Sequence, residues 1–357
     1  MGPFRVKYVI YVYLFICLTL LVYNCVYIFY ARIRKTLQAK RAGRWEAELA
    51  RVWGDKQALS AHRKRLRKKL GRIDQLAAYN SVMERHLGED CIPAYLRTCY
   101  EDFQMLAVEY KTRTAMERAF FAYVLAQYHP YVGGVRPQMV NILLGYMDNA
   151  TVYCRENVLH ALYSIGDAVA VEHAFRFLDS RGLYHNPKLI ADGLMTYQGS
   201  KKELAWRLWE KCHAWNEPLQ IAVIQFASQL DADFSGVFYE QLQREDTPTE
   251  LRFAYIRYFQ RHVKPELKAY LIDCLAREDE DGSGAAIAAC TALGSYPGAD
   301  TVQALERALG SRNWYVRRNA AFSLMRIGIS EQDREQIYER SDRYGREILE
   351  YAARESL

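Results

Sequence analysis

Tyr153-Cys154-Arg155-Glu156-Asn157-Val158-Leu159-His160-Ala161-Leu162-Tyr163-Ser164-Ile165-Gly166 is echoed 162 residues later by Tyr315-Val316-Arg317-Arg318-Asn319-Ala320-Ala321-Phe322-Ser323-Leu324-Met325-Arg326-Ile327-Gly328. Arginine, asparagine, leucine, isoleucine and glycine coincide. Between the two, Leu251-Arg252-Phe253-Ala254-Tyr255-Ile256 sets another arginine 97 residues after Arg155 and 65 before Arg317. These offsets are three, two and five units of about 32 residues, a period that marks a helical solenoid. The physical reason is burial: one short helix pair cannot cover its own apolar stripe, whereas stacked pairs share a continuous core.

Working outward, helix starts fall near Thr151, Asn186, Glu217, Thr249, Gly284, Asn313 and Gly345. They give about seven units, the last incomplete, with second helices at 168–178, 201–214 and 301–309. The pattern V-R-x-x-A-x-x-x-L-x-x-I-G resembles HEAT repeats of the bacterial short type. It is carried by Val316, Arg317, Ala320, Leu324, Ile327 and Gly328, and by Arg155, Leu162, Ile165, Gly166 and Asp167. The resemblance spans roughly 150–357 and weakens where Asn186-Pro187 and Glu217-Pro218 open units without the arginine. It implies right-handed stacking with second helices on the concave side, structural roles for Arg155, Arg252 and Arg317, and a protein that holds other macromolecules. Residues 91–149 are expected to be helices capping the stack.

The 357 residues are half hydrophobic and a quarter charged, which excludes a disordered chain and a small disulfide scaffold. The net charge of +6 is unevenly spread. Residues 31–72 hold 15 lysines and arginines against Glu46, Glu48 and Asp55, and with Arg5 and Lys7 set aside, residues 73–357 carry −8. From Tyr8 to Tyr30 no charge interrupts 23 residues, enough at about 1.5 Å each to cross a hydrocarbon core of about 30 Å. Tyrosines cluster at both ends, at headgroup level. No small-residue cleavage site follows, so the stretch reads as an anchor rather than a signal peptide. Arg32, Arg34, Lys35, Lys40, Arg41 and Arg44 outweigh Arg5 and Lys7, which places 1–7 outside, 8–30 in the cell membrane and the remainder in the cytoplasm. The eight cysteines are scattered singly and read as reduced thiols. Asn149-Ala150-Thr151 matches a glycosylation acceptor but is expected to serve as a cap or turn, and Gly2 lacks the serine or threonine at Val6 that myristoylation needs. Asn24, polar within the span, is a candidate contact to a partner membrane helix, with local backbone bonding as the alternative.

Residues 31–90 form a basic neck. Val52, Leu59, Leu66, Ile73, Asn80 and Leu87 recur every seven residues, which allows a coiled-coil homodimer, although Gly54 and Gly71 weaken it. Arg63, Lys64, Arg65, Arg67, Lys68 and Lys69 form the densest run of cations. A solvated helix face, attraction to anionic lipid headgroups and nucleic-acid binding each account for it.

No H-E-x-x-H, G-x-S-x-G, P-loop or G-x-G-x-x-G occurs, and Cys212 and His213 are adjacent and diverge on a helix. No metal or cofactor is expected, and no enzyme. DNA glycosylases built on similar repeats hold DNA in a basic groove, which a body at −8 does not favour. Trp206, Trp209 and His213, at i, i+3 and i+7, are the candidate partner-binding residues; completion of the core stripe of Leu204, Leu208 and Cys212 is the alternative for the tryptophans. The expectation is an all-α protein with a transmembrane helix, a basic neck and a solenoid that scaffolds a protein partner. A membrane enzyme such as a glycosyltransferase is one such partner, and a membrane-tethered nucleic-acid-binding or DNA-processing protein is the alternative function.

Overall fold

The computed structural model describes residues 3–53, 55–134, 136–278 and 283–355; Gly2 and Gly54 lie outside them. Among the described residues there are nineteen helices and no strand. The chain forms two compact units, one ending at Ile165 and the other beginning at Gly166.

The first unit holds α1 (Pro3–Val52), α2 (Lys56–Leu70), α3 (Ile73–His86), α4 (Cys91–Tyr110), α5 (Ala115–Val132), α6 (Pro137–Tyr146) and α7 (Val152–Ile165). Helix α1 is a single helix of 50 residues with one apolar stretch long enough to cross a membrane, none of it buried. Its last turns change character: Trp45, Leu49 and Val52 are buried against α2 and α3. The neck is therefore not a freestanding coiled coil. Asp55 ends the run by capping α2, its carboxylate accepting from the Gln57 amide at 2.7 Å, and the chain turns again at Gly71–Arg72. Neither turn needs a proline. Of the heptad residues, Val52, Leu66 and Asn80 are buried within one chain while Leu59, Ile73 and Leu87 stay partly exposed, so the repeat does not run along one continuous helix. Helix α7, the first of the repeating pattern, also belongs here, because it packs on α5 and α6.

The direction of these helices follows from their contacts. Arg41 meets Asp74, Trp45 meets Tyr79 and Trp53 meets His86, so α3 runs parallel to α1. Helix α2 starts just past Val52 and ends just before Ile73, so it runs back toward the apolar stretch. In the core so formed, His62 shares its ring nitrogens between Glu48 and Tyr95, each at 2.9 Å, while Lys69 bonds Glu48 at 2.5 Å and Tyr79 donates to Tyr95 at 3.1 Å.

The second unit holds α8 (Ala168–Ser180), α9 (Pro187–Leu194), α10 (Lys201–Cys212), α11 (Glu217–Ala227), α12 (Ser235–Gln243), α13 (Thr249–Phe259), α14 (Leu267–Ala276), α15 (Ser283–Leu293), α16 (Ala299–Ala308), α17 (Trp314–Ile327), α18 (Glu331–Arg340) and α19 (Arg343–Glu355). The seven expected starts match α7, α9, α11, α13, α15, α17 and α19 within two residues. Within this unit α9, α11, α13, α15, α17 and α19 pack successively into one layer, and α10, α12, α14, α16 and α18 pair with them from a second. Asn186, Asn216 and Asn313 set the starts by accepting from amides of the first turn. Neighbouring repeats are tied at the same place each time: Tyr197 donates to the Gly166 carbonyl, His262 bonds that of Ser228, Tyr296 donates to Phe259 and Ser323 to Cys290. Each tie reaches back one repeat.

The arginines mark the other end of the hairpin. Arg317 donates to the Ser311 carbonyl at 2.5 Å, Arg252 to that of Thr247 at 3.4 Å and, in the first unit, Arg155 to Ala150 at 2.5 Å. All three clamp the loop entering their own helix. Gly166 and Gly328 stop α7 and α17 with φ of +74° and +78°, conformations costly for any residue with a Cβ. A Cβ on Gly166 would also lie 3.3 Å from the Gly199 amide nitrogen, whereas one on Gly328 meets open space. Gly166→Ala is expected to cost more than Gly328→Ala, which should lose about 1–2 kcal/mol. Chemical denaturation of both variants orders them, and equal midpoints would remove the contact argument.

Candidate functional site

The α10 residues divide between core and surface. Trp209 is only 6% exposed, its ring edge-on to Phe238 at 4.9 Å and Tyr255 at 6.3 Å, so it completes the core between successive repeats. Trp206 stacks on Phe234 at 4.1 Å and stays partly exposed. His213 is exposed at the end of the helix, its ring 4.4 Å from Trp209, and desolvation with the nearby Arg244 lowers its pKa. The triplet is thus one buried anchor flanked by two reachable groups, since the rings of α12 and α13 close over the middle position.

A second aromatic surface lies on α17 and α19, and the sequence reading passed it over. Trp314 is 48% exposed, Tyr315 60% and Tyr344 60%. Arg318 lies over Phe322 at 4.5 Å and Trp314 at 5.9 Å, and Arg317 lies over Tyr344 at 5.5 Å. Trp314, Arg318 and Phe322 follow at i, i+4 and i+8, off the stripe of Val316, Ala320 and Leu324 that is buried. That offset is the signal that could have found them. Exposed tryptophan, tyrosine and arginine are the residue types that dominate binding energy at protein interfaces.

The basic run of α2 is also divided. Arg63 pairs with Asp102 at 2.6 Å and Glu101 at 3.3 Å, Arg67 with Glu109 at 3.1 Å, and Lys69 with Glu48. These three hold α2 to its neighbours. Lys64, Arg65 and Lys68 are exposed, with no ion pair among the described residues. Arg63 and Lys64 also line an open cleft of about 860 Å³ floored by Trp53 and Tyr95. Asn24 donates its amide to the Leu20 carbonyl at 2.9 Å and Thr19 its hydroxyl to Phe15 at 2.8 Å, so both donors are bonded within α1.

Among the described residues no three His, Cys, Asp or Glu side chains gather as a metal site. Burial pushes the Cys99 and Cys212 thiols up to about 12, leaving them protonated at neutral pH. Asp167 accepts from the Val169 and Ala170 amides at 2.9 and 3.2 Å, and Thr151 accepts from the Cys154 amide; both are caps. Burial alone would raise Glu172, but Arg207 and Arg176 beside it hold its carboxyl below the ordinary range. That cluster ties α10 to α8.

His62 gives the first unit a pH dependence. Desolvation lowers its pKa, with Glu48 opposing, so the unfolded chain takes up the proton first as pH falls below about 6.5. Burial raises Glu48, but Lys69 and His62 outweigh this and hold it low, so its stabilisation is lost only in stronger acid, below about 4.5. His86 is raised by Glu89 and Glu46 and opposes the trend, but its pairs are partly solvated and screened. Burial also lowers His129 and His160, so stability of the first unit is expected to fall from pH 7 to 5.5, and His62→Gln should make that slope shallower without abolishing it. A wild-type stability unchanged over this range would refute it.

A family model described as HEAT repeats matches residues 237–325 and, overlapping, 271–357. No curated protein and no solved structure matches the chain.

Proposed function

We propose that this chain, whose residues 237–357 are HEAT repeats, is a membrane-anchored scaffold that holds a protein partner on its second unit. The observation that carries the reading is the exposed surface of Trp314, Tyr315 and Tyr344 beside the partly exposed Arg318, which joins interface-type residues on two packed helices of that unit. Trp206 and His213 extend the candidate contact residues to α10. The long uncovered apolar face of Tyr8–Tyr30 supports a membrane anchor, and the cation surplus after it supports a cytoplasmic body. The cations of α2 support attraction to anionic lipid: the α2–α3 turn, with Lys68 and Arg72 exposed, lies level with Arg41, only about 16 Å along α1 from Tyr30. A partner anchored in the same bilayer, such as a membrane glycosyltransferase, fits this arrangement.

The test is crosslinking and affinity purification of the full-length protein in detergent from its own host, beside Trp314→Ala/Arg318→Ala. One stoichiometric membrane protein, lost in the double variant, is the expected result. Recovery of nucleic acid, or a partner retained at full level by the variant, would overturn it.

A further inference from the structure

We propose that the edge of the first unit nearest the apolar stretch of α1 rests on the bilayer surface as a second membrane contact. The inference rests on reading Tyr8–Tyr30 as a membrane anchor, and it assigns the contact to the turns that join α4 to α5 and α6 to α7.

Contacts within the first unit bring three turns to that edge. Helix α4 runs parallel to α2, since Arg63 meets Asp102, Arg67 meets Glu109 and Tyr110 donates to the Leu70 carbonyl. Helix α6 runs parallel to α4, since Gln104 meets Gln138 and Tyr146 donates to the Ala107 carbonyl. The turns 71–72, 111–114 and 147–151 therefore follow one another along the edge that begins level with Arg41. Arg113 ties the second turn to the first through the Gly71 carbonyl at 3.2 Å, and Arg118 ties the third to α5 through that of Asp148 at 3.2 Å. Turns 53–55, 87–90 and 133–136 lie at the opposite edge.

The two edges differ in charge. Arg72, Lys111 and Arg113 stand against Asp148 on the near turns, a net +2, whereas Asp55, Glu89 and Asp90 stand against Arg136 on the far turns, a net −2. Lys111 and Arg113 are exposed, with no ion-pair partner among the described residues. Hydrophobicity follows the same division. Met116, Val152 and Tyr153, in the first turns of α5 and α7, are exposed beside these cations, while among the described residues the far turns carry no large exposed apolar side chain. Apolar side chains flanked by cations, on the side facing the anchor, suit the headgroup layer of an anionic bilayer. A soluble acidic protein would match the cations but not the apolar side chains or their place beside the anchor.

The edge begins about 16 Å past Tyr30 along α1, and the headgroup layer takes up about 6 Å of that. At about 9 Å per packed helix, α5 and α7 begin about 18 and 27 Å to the side of α1. An inclination of α1 by about 20° toward α7, ordinary for a membrane helix, lowers those starts by about 6 and 9 Å. Val152 then meets the headgroups, and Lys111 and Arg113 come within side-chain reach of phosphate. The contact is weak by itself and depends on the anchor to hold it close to lipid.

The test uses the full-length protein with a photoreactive benzoylphenylalanine at one position, in vesicles of phosphatidylcholine with or without phosphatidylglycerol, and counts phospholipid adducts by mass spectrometry. Met116→benzoylphenylalanine and Val152→benzoylphenylalanine are expected to give adducts in the anionic vesicles, and Asp90→benzoylphenylalanine on the far edge none. Adding Lys111→Gln/Arg113→Gln should lower the docked fraction, and the adduct yield with it, about fivefold per cation. Adducts at Met116 and Val152 no more frequent than at Asp90, or a yield that the double variant leaves unchanged, would overturn the proposal. Val26→benzoylphenylalanine, within the apolar stretch, separates the two readings. Adducts there without adducts at Met116 and Val152 overturn the edge alone, and none at either place overturns the anchor and the edge with it.

Discussion

Trp209→Ala lowers the melting temperature of the second unit by about 6–20 °C. The ring fills the space between successive repeats, against Phe238 and Tyr255, and removing a buried tryptophan costs about 3–5 kcal/mol because its neighbours cannot close the void. At about 2–4 °C per kcal/mol for a unit of this size, the shift is large. Trp206→Ala removes a partly exposed ring with one stacked face, and its expected cost is about 1–2 kcal/mol. In a stack where each repeat leans on the next, the loss at Trp209 spreads to both neighbouring interfaces. Calorimetry of the two variants decides it. A Trp209→Ala protein melting within a few degrees of wild type would contradict the packing role and return the ring to the surface reading.

Deleting residues 1–30 converts a membrane-pelleted protein into one that stays in solution and keeps a strongly helical circular dichroism spectrum. None of the apolar stretch in α1 is covered by the rest of the protein. Leaving each large apolar side chain in water forgoes about 1.5–3 kcal/mol, and together these amount to tens of kcal/mol that only lipid, detergent or aggregation can supply. The first unit does not need the deleted part, since its hold on α1 comes from Trp45, Leu49 and Val52. A truncated protein that still pellets with membranes, or a β-rich spectrum, would refute the division of α1 into anchor and core segments.

The contrast between these regions shows which features a sequence exposes. The hairpins were legible because their ends are fixed by residues with one local use: a glycine where φ turns positive, an asparagine where a helix begins, an arginine that reaches back to its own loop. The neck was not, because a seven-residue apolar repeat satisfies a partner strand and an intramolecular hairpin equally well. The deciding events, a cap at Asp55 and a turn at Gly71, are single residues inside a run of strong helix formers. The candidate site fared similarly. Trp206 and Trp209 look alike on a helical wheel, and only the rings arriving from α12 and α13 decide which is covered. Trp314 was overlooked because large aromatics are presumed to be core until the buried stripe beside them is known.

The 50 residues of α1 carry one further consequence, which is mechanical. An unbroken hydrogen-bonded rod transmits tilt and twist without a hinge to absorb them. From Tyr30 to Val52 the lever arm is about 33 Å, so tilting the apolar segment by about 10° sweeps its far end through about 6 Å. Trp45 and Leu49, wedged among α2 and α3, would carry that torque directly into the folded unit. For α1 set in a bilayer, as proposed above, whatever fixes the inclination of the helix also fixes the aim of the first unit.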